Sequence, residues 1–265
     1  MTTALRVIKV GGRAQEDPAL ARALAAAWRA APASLCVVHG GGGELSALQR
    51  RLGGEPRFVG GRRVTSAADI ELARMALSGA ANKRLVARLV ALGVPATGLS
   101  GEDAGLLTAE PFDSGALGLV GGAPRADATL LRHLLAGGYL PVVSPLGRPR
   151  AASDASDPGR AADEALNVNG DDAAAAIAVA LGAAELLLLS DVPGVLDGRR
   201  PVATLDPDRA AALVAGGTAV GGMAAKLEAA LAALEGGVPR VRIGDAALLD
   251  DAGAGTTLAR AVALL

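Results

Sequence analysis

Three lysines stand in a chain that otherwise writes its cations as arginine: Lys9, Lys83 and Lys226, against 23 arginines. An ammonium is a compact point charge, whereas a guanidinium is longer, planar and forked, so positions that keep lysine are candidates for chemistry a guanidinium would crowd. Lys9 lies in Val7-Ile8-Lys9-Val10-Gly11-Gly12, an apolar strand running into glycines. A second such unit is Leu35-Cys36-Val37-Val38-His39 followed by Gly40 to Gly43, with helical spacing from Glu44 to Leu52. A glycine loop of this kind aims backbone N–H groups outward beside a helix N-terminus, which suits an anion and phosphate above all. Two of them with a lysine alongside form a cradle for a phosphoryl group in transit.

Alternating strands and helices must position these residues. The spacing predicts a strand over 4–10, then a helix opening at Asp17-Pro18 with Leu20, Leu24 and Trp28 on its inner face. After the basic turn Gly60-Gly61-Arg62-Arg63-Val64-Thr65, Ser66 and Asp69 read as a helix cap, with two helices over 67–77 and 81–92. A strand at 96–99, a glycine-punctuated hairpin region to about Pro124, a helix over 127–136 and a strand at 139–144 follow. Residues 148–163, rich in Pro, Ser, Asp and Arg, lack periodicity and read as an extended exposed loop. Asn167 to Asp172 opens a helix over 173–181, and the buried strand 186–189 ends in Ser190-Asp191-Val192-Pro193-Gly194-Val195-Leu196. Helices over 207–214 and 223–234 and strands at 240–243 and 257–258 close an α/β chain with a mainly parallel, helix-flanked sheet.

Composition narrows the function. At 265 residues the chain is one large domain or two closely joined lobes. A net charge of −1, two histidines and 2% aromatic residues argue against nucleic acid as a partner. Cys36 is the single cysteine, which excludes a disulfide within the chain and points to a reducing, cytoplasmic setting. The apolar stretch 173–189 is interrupted by Gly182 and Glu185 and reads as helix then strand, not as a membrane span. Neither glycine loop gives Gly-x-Gly-x-x-Gly opening a helix, which disfavours a dinucleotide-binding dehydrogenase.

Seven motifs in order carry a resemblance across essentially the whole chain: Lys-Val-Gly-Gly, His-Gly-Gly-Gly-Gly, Gly-Arg-Arg-Val-Thr, Ala-Asn-Lys, Asn-Val-Asn-Gly-Asp-Asp, Leu-Ser-Asp-Val-Pro-Gly-Val and Gly-Gly-Met-Ala-Ala-Lys. The chain resembles the amino-acid kinase family, and within it the branch acting on N-acetyl-L-glutamate. The resemblance implies a three-layer αβα sandwich, with residues 1–168 as the acyl-amino-acid and dimerisation lobe and 169–265 as the ATP lobe. It implies Lys9 and Lys226 as the groups flanking the phosphoryl in transit, and Asp171 as the residue that orients them. Gly41, Gly42, Arg63 and Asn167 are implied for the substrate. Gly12, Asp191, Val192, Gly194, Val195, Leu196, Thr218, Ala219 and Val220 are implied for ATP, with Mg2+ carried mainly on the phosphates. The implied reaction needs no general base, because a γ-carboxylate is already ionised at neutral pH and asks only for in-line positioning and charge compensation.

Arg62 stands where such enzymes commonly carry an apolar residue, and as an added cation it favours a more anionic acyl group such as succinyl. The alternatives are a kinase for N-succinylglutamate or for an aminoadipate on a carrier protein, and a non-catalytic nucleotide sensor. Arginine-inhibited members of the family that the chain resembles carry a helix before the first strand, and the short segment here therefore implies, by that resemblance, a homodimer that arginine does not inhibit.

Overall fold

The computed structural model describes residues 4–11, 13–59, 61–112, 116–150, 164–197 and 200–259. Its centre is an eight-stranded sheet in the order Thr204–Leu205, Thr256–Ala259, Arg240–Gly244, Glu185–Leu189, Arg6–Val10, Leu35–His39, Leu140–Ser144, Ala96–Ser100. Every neighbouring pair is parallel except Arg240–Gly244 with Thr256–Ala259. The interior strands are apolar on both faces and almost wholly buried, as a sheet covered by helices on both sides requires. Helices Pro18–Ala30 and Asn82–Ala91 pack together in one layer, and Gly170–Leu181 with Gly221–Glu235 in the other. A small closed barrel of Leu166–Val168, Val120–Ala126, Leu107–Pro111 and Leu146–Pro149 sits beside the sheet, and a two-stranded ribbon joins Phe58–Val59 to Arg62–Arg63. No helix among the described residues is long and apolar enough to cross a membrane.

Local chemistry sets the boundaries. Asp17 caps the helix Pro18–Ala30, its carboxylate accepting from Ala19 N, with proline in the first turn. Ser66 and Asp69 form a reciprocal capping box. The two helices expected over 67–77 and 81–92 are instead one uninterrupted run. Ala67–Ala73 passes through the wide π turns of Arg74–Ala81 into Asn82–Ala91, with no break at Ser78-Gly79. In that segment Ser78 Oγ lies 2.6 Å from Ser144 Oγ, and Leu77 and Ala81 pack against the glycine loop at Gly41. A second correction concerns the loop expected from 148: Leu146–Pro149 is a barrel strand, while 151–163, like Gly12, lies outside the described residues.

The π turns also aim Asn82 inward. It is fully buried and donates to His39 Nε2 at 3.0 Å and to Val142 O at 2.9 Å. A Cβ placed on Gly98 would stand 1.9 Å from Asn82 Oδ1 and 2.8 Å from Lys83 Nζ. Gly98→Ala is therefore expected to destabilise by about 1–3 kcal/mol, because overpacking outweighs the ~0.5–1 kcal/mol that alanine gains over glycine in a strand. A lowered urea midpoint at constant m-value reads this; an unchanged midpoint would show that Asn82 moves aside freely.

Candidate active site

The parallel strands end at one edge, where Gly11, Gly40, Pro145 and Ser190 begin the outgoing loops. That edge is where an open α/β sheet leaves room for ligands. Lys9, one residue from the end of its strand, is 7% exposed. Asp171 stands in the first turn of the helix Gly170–Leu181, where Asn169 caps by accepting from Asp171 N at 2.8 Å. Lys226 comes from the helix Gly221–Glu235. These three meet: Asp171 Oδ1 lies 3.0 Å from Lys9 Nζ and 2.9 Å from Lys226 Nζ, with all three side chains below 10% exposure. One carboxylate shared between two ammoniums leaves the buried cluster with a net positive charge.

The electrostatics follow. Burial, then the like charge of Lys9, push the Lys226 ammonium down to about 8, with Asp171 opposing them. Burial raises Asp171, but the two lysines outweigh it and hold its carboxyl below the usual range. A phosphate beside Lys226 would oppose the lowering of its pKa, since an anion favours the ammonium form.

The second glycine loop is braced from beneath. His39 donates from Nδ1 to Gly40 O at 2.7 Å, and Gln15 Nε2 donates to the same carbonyl at 2.7 Å. The acceptor of the first bond fixes the tautomer, so His39 Nε2 accepts from Asn82. Burial pushes His39 down to about 4, so this imidazole stays neutral and both its nitrogens are engaged. It holds the loop and is no proton carrier. At Gly41 a Cβ would sit 2.5 Å from Leu77 Cδ2, so the turn packs too closely on the π segment for a side chain. The helix Gly42–Arg51 starts without a side-chain cap, as does Gly221–Glu235, which leaves N-terminal N–H groups for another acceptor.

A cavity of about 170 Å³ is lined by Gly41, Gly42, Arg63 and Asn167, together with Phe58 of the ribbon and Gly170 of the helix start. Arg63 is fastened in its wall: Nη1 donates to Gln49 Oε1 at 2.5 Å, and Nη2 to Gly42 O and Ser46 Oγ at 2.8 Å. Burial lowers its pKa, with nearby Asp69 opposing. Gln49 in turn donates to Asp69 Oδ1 at 2.6 Å, so the capping box, Gln49 and Arg63 form one chain of bonds. Sequence reading missed Gln49; its position on the inner face of the helix after the glycine loop is the signal that could have found it. Asn167 Nδ2 donates to Thr65 Oγ1 at 3.1 Å.

A separate cavity of about 470 Å³ is lined by Gly11, Asp17, Ser190, Asp191 and Lys226, among others. The lysine–aspartate cluster lies between the two spaces. Lys226 lines one, and Gly170, whose Cβ would touch Lys9 Cε at 3.3 Å, lines the other. Of the remaining expected nucleotide residues, those that the structure describes are not in these walls. Val195 is buried and its N–H donates to Thr256 Oγ1 at 2.8 Å, and a Cβ on Gly194 would meet that same oxygen at 2.7 Å. Val192 and Leu196 flank them on the loop, Leu196 being exposed. Thr218 and Ala219 precede the uncapped helix, and Val220, its N-cap, is exposed. Arg62, expected as an extra cation, is paired: its Nη1 lies 3.3 Å from Asp172 Oδ2 and its guanidinium 4.7 Å from the Phe112 ring centroid.

Comparison with known proteins adds the following. The sequence profile of the amino acid kinase family matches residues 4–245. An acetylglutamate kinase of Chloroflexus aurantiacus is 44% identical over 253 residues, covering 95% of this chain and 96% of the relative. One of Rubrobacter xylanophilus is 45% identical over 234 residues, covering 88% and 86%. The crystal structure of smu.665 from Streptococcus mutans UA159 superposes with a TM-score of 0.80 at 26% identity, over 97% of this chain and 99% of that one.

Proposed function

The chain belongs to the amino acid kinase family, and from that membership we propose that it transfers the γ-phosphoryl group of ATP to the γ-carboxylate of N-acetyl-L-glutamate. The product is N-acetylglutamyl 5-phosphate, an intermediate of arginine biosynthesis. The observation that carries this reading is the Lys9–Asp171–Lys226 cluster, buried between two cavities and net positive. In the transfer, a carboxylate oxygen bonds to the γ-phosphorus as the bond to the bridging oxygen of ADP breaks. Charge spreads over the equatorial oxygens, and the two ammoniums compensate it. Asp171 holds both amines at one point without neutralising them fully. Arg63 and Asn167, with the backbone N–H groups at Gly41 and Gly42, hold the acyl amino acid.

ATP fits the 470 Å³ cavity because Lys226 reaches its wall and the helix that carries Lys226 starts without a side-chain cap. Gly11, Asp191 and Lys226 would hold it there, with Gly12, Val192, Gly194, Val195, Leu196, Thr218, Ala219 and Val220 around it. Mg2+ would ride mainly on the phosphates of ATP. The reading divides the chain into an acyl-amino-acid lobe, 1–168, and an ATP lobe, 169–265, and carries with it a homodimer and a cytoplasmic setting.

A hydroxamate-trapping assay with N-acetylglutamate, N-succinylglutamate, aspartate and carbamate tests the reaction. Acetylglutamate is expected to give by far the strongest ATP-dependent signal; a stronger signal from any other acceptor would overturn the assignment. A second expected result concerns pH. In the free protein the Lys226 ammonium is lost as pH rises through about 8, so kcat/KM for ATP should fall above that value. Bound phosphates keep the proton on, so kcat should fall only at higher pH. Stability runs the opposite way. The ordinary value is 10.5, so between about 8 and 10.5 the unfolded chain holds the extra proton and rising pH favours the fold. A kcat/KM profile flat to about pH 9.5 would remove the ammonium from the mechanism.

A further inference from the structure

Arg62 lines two spaces at once, the 170 Å³ cavity described above and a larger one of about 610 Å³. The larger space runs along the helices Gly170–Leu181 and Gly221–Glu235. Its walls are mostly small and apolar, including Ala126, Ala175, Val179 and Ala232, and its charged residues besides Arg62 are Arg125, Asp172 and Glu228. The Arg62 side chain is fixed on the border. Its ion pair with Asp172 is largely shielded, at 23% and 16% side-chain exposure, and its guanidinium lies over the ring of Phe112. A long side chain tied at its tip by a carboxylate and an aromatic face behaves as a wall, not as a roaming surface cation. Its charge is engaged by Asp172, and beyond it Arg125 offsets Glu228, so the space offers no net positive charge that would draw an anionic acyl group.

We propose that Arg62 is a specificity-determining residue, the partition that restricts the substrate to a short acyl group by closing the small cavity off from the apolar space behind it. The inference rests on the reading of the smaller cavity as the acyl-amino-acid site. With the partition removed, the two spaces join, and the class of substrate gained is N-acyl glutamates with straight, uncharged acyl chains. Asp172 acts through Arg62 and is a positioning residue.

The test compares N-acetyl-, N-butanoyl- and N-hexanoyl-L-glutamate in ATP-dependent hydroxamate formation. The proteins are the wild type, Arg62→Ala, Arg62→Lys and the double variant Arg62→Ala with Asp172→Asn. The double variant leaves no unpaired carboxylate, which keeps the test usable if Arg62→Ala does not fold. Wild type is expected to favour acetyl. Either alanine variant should raise the hexanoyl-to-acetyl ratio of kcat/KM by about tenfold or more, with KM for ATP within about twofold of wild type. Arg62→Lys keeps the charge and most of the length and should retain the wild-type order. An unchanged chain-length profile in a folded alanine variant overturns the partition. Wild type inactive on all three acyl glutamates overturns the proposed function itself, and the partition with it.

Discussion

Replacing Lys226 by arginine is expected to leave a folded protein whose turnover falls by roughly 10²–10³-fold, about 3–4 kcal/mol of transition-state stabilisation. Lys9→Arg should do the same. Both amines sit within 3.0 Å of one carboxylate oxygen in a space that excludes most solvent. A guanidinium keeps the charge but cannot keep the position: it is longer and planar, and it forks into several donors. It would pair with Asp171 through one edge and push the other into the path between the two cavities. ATP would still be attracted, so its KM should change less than kcat. Lys83 is the internal control. Its Nζ donates to Gly98 O at 3.0 Å in an exposed setting away from the cluster, and Lys83→Arg should stay near wild-type turnover. Near-wild-type turnover in either cluster variant would remove the main support for the mechanism.

Glu185→Ala is expected to cost about 3–5 kcal/mol of stability, lowering the melting temperature by on the order of 10 °C. Glu185 opens its strand at 3% exposure and takes Nε of Arg240 at 2.8 Å and Nε of Arg242 at 3.0 Å. Arg242 is equally buried, and its remaining donors reach the carbonyls of Leu248, Asp251 and Ala254. Deleting the carboxylate leaves a buried guanidinium without its counter-charge. Arg240 is half exposed at 50%, so Arg240→Ala should cost less than about 1 kcal/mol. Urea denaturation of the two variants separates the cases. Equal losses would show that the exposed pair, not the buried one, carries the energy.

The architecture is largely legible in the sequence because its strands are short apolar runs between glycines. Leu35–His39 has the boundaries its composition suggests, and the caps at Asp17 and Ser66 stand where their side chains can accept from the next turn. The site is legible in part, since Lys9, Asp171 and Lys226 stand out by residue type and motif and the fold brings them together. What escapes sequence reading depends on side chains meeting across distant elements. Gln49 on Arg63, Asn82 on His39 and Asp172 on Arg62 have no local pattern that predicts the pairing. The π turns escape because Ser78-Gly79 resembles a break, and only packing against Gly41 and Ser144 keeps the helix running. Glu185 interrupts an apolar run and marks a strand start, but its two arginine partners are visible only once the strands are side by side.

The strand Arg6–Val10 lies in the interior of the sheet with Leu35–His39 on one side and Glu185–Leu189 on the other. During synthesis its first neighbour is available almost at once, whereas the second leaves the ribosome later by on the order of ten seconds at ordinary elongation rates. Throughout that interval an apolar strand edge with unpaired N–H and C=O groups is open to other nascent chains. Fragments ending short of Glu185 should accordingly collect in inclusion bodies, and slower elongation between the codons for His39 and Glu185 should lower the soluble yield of the protein.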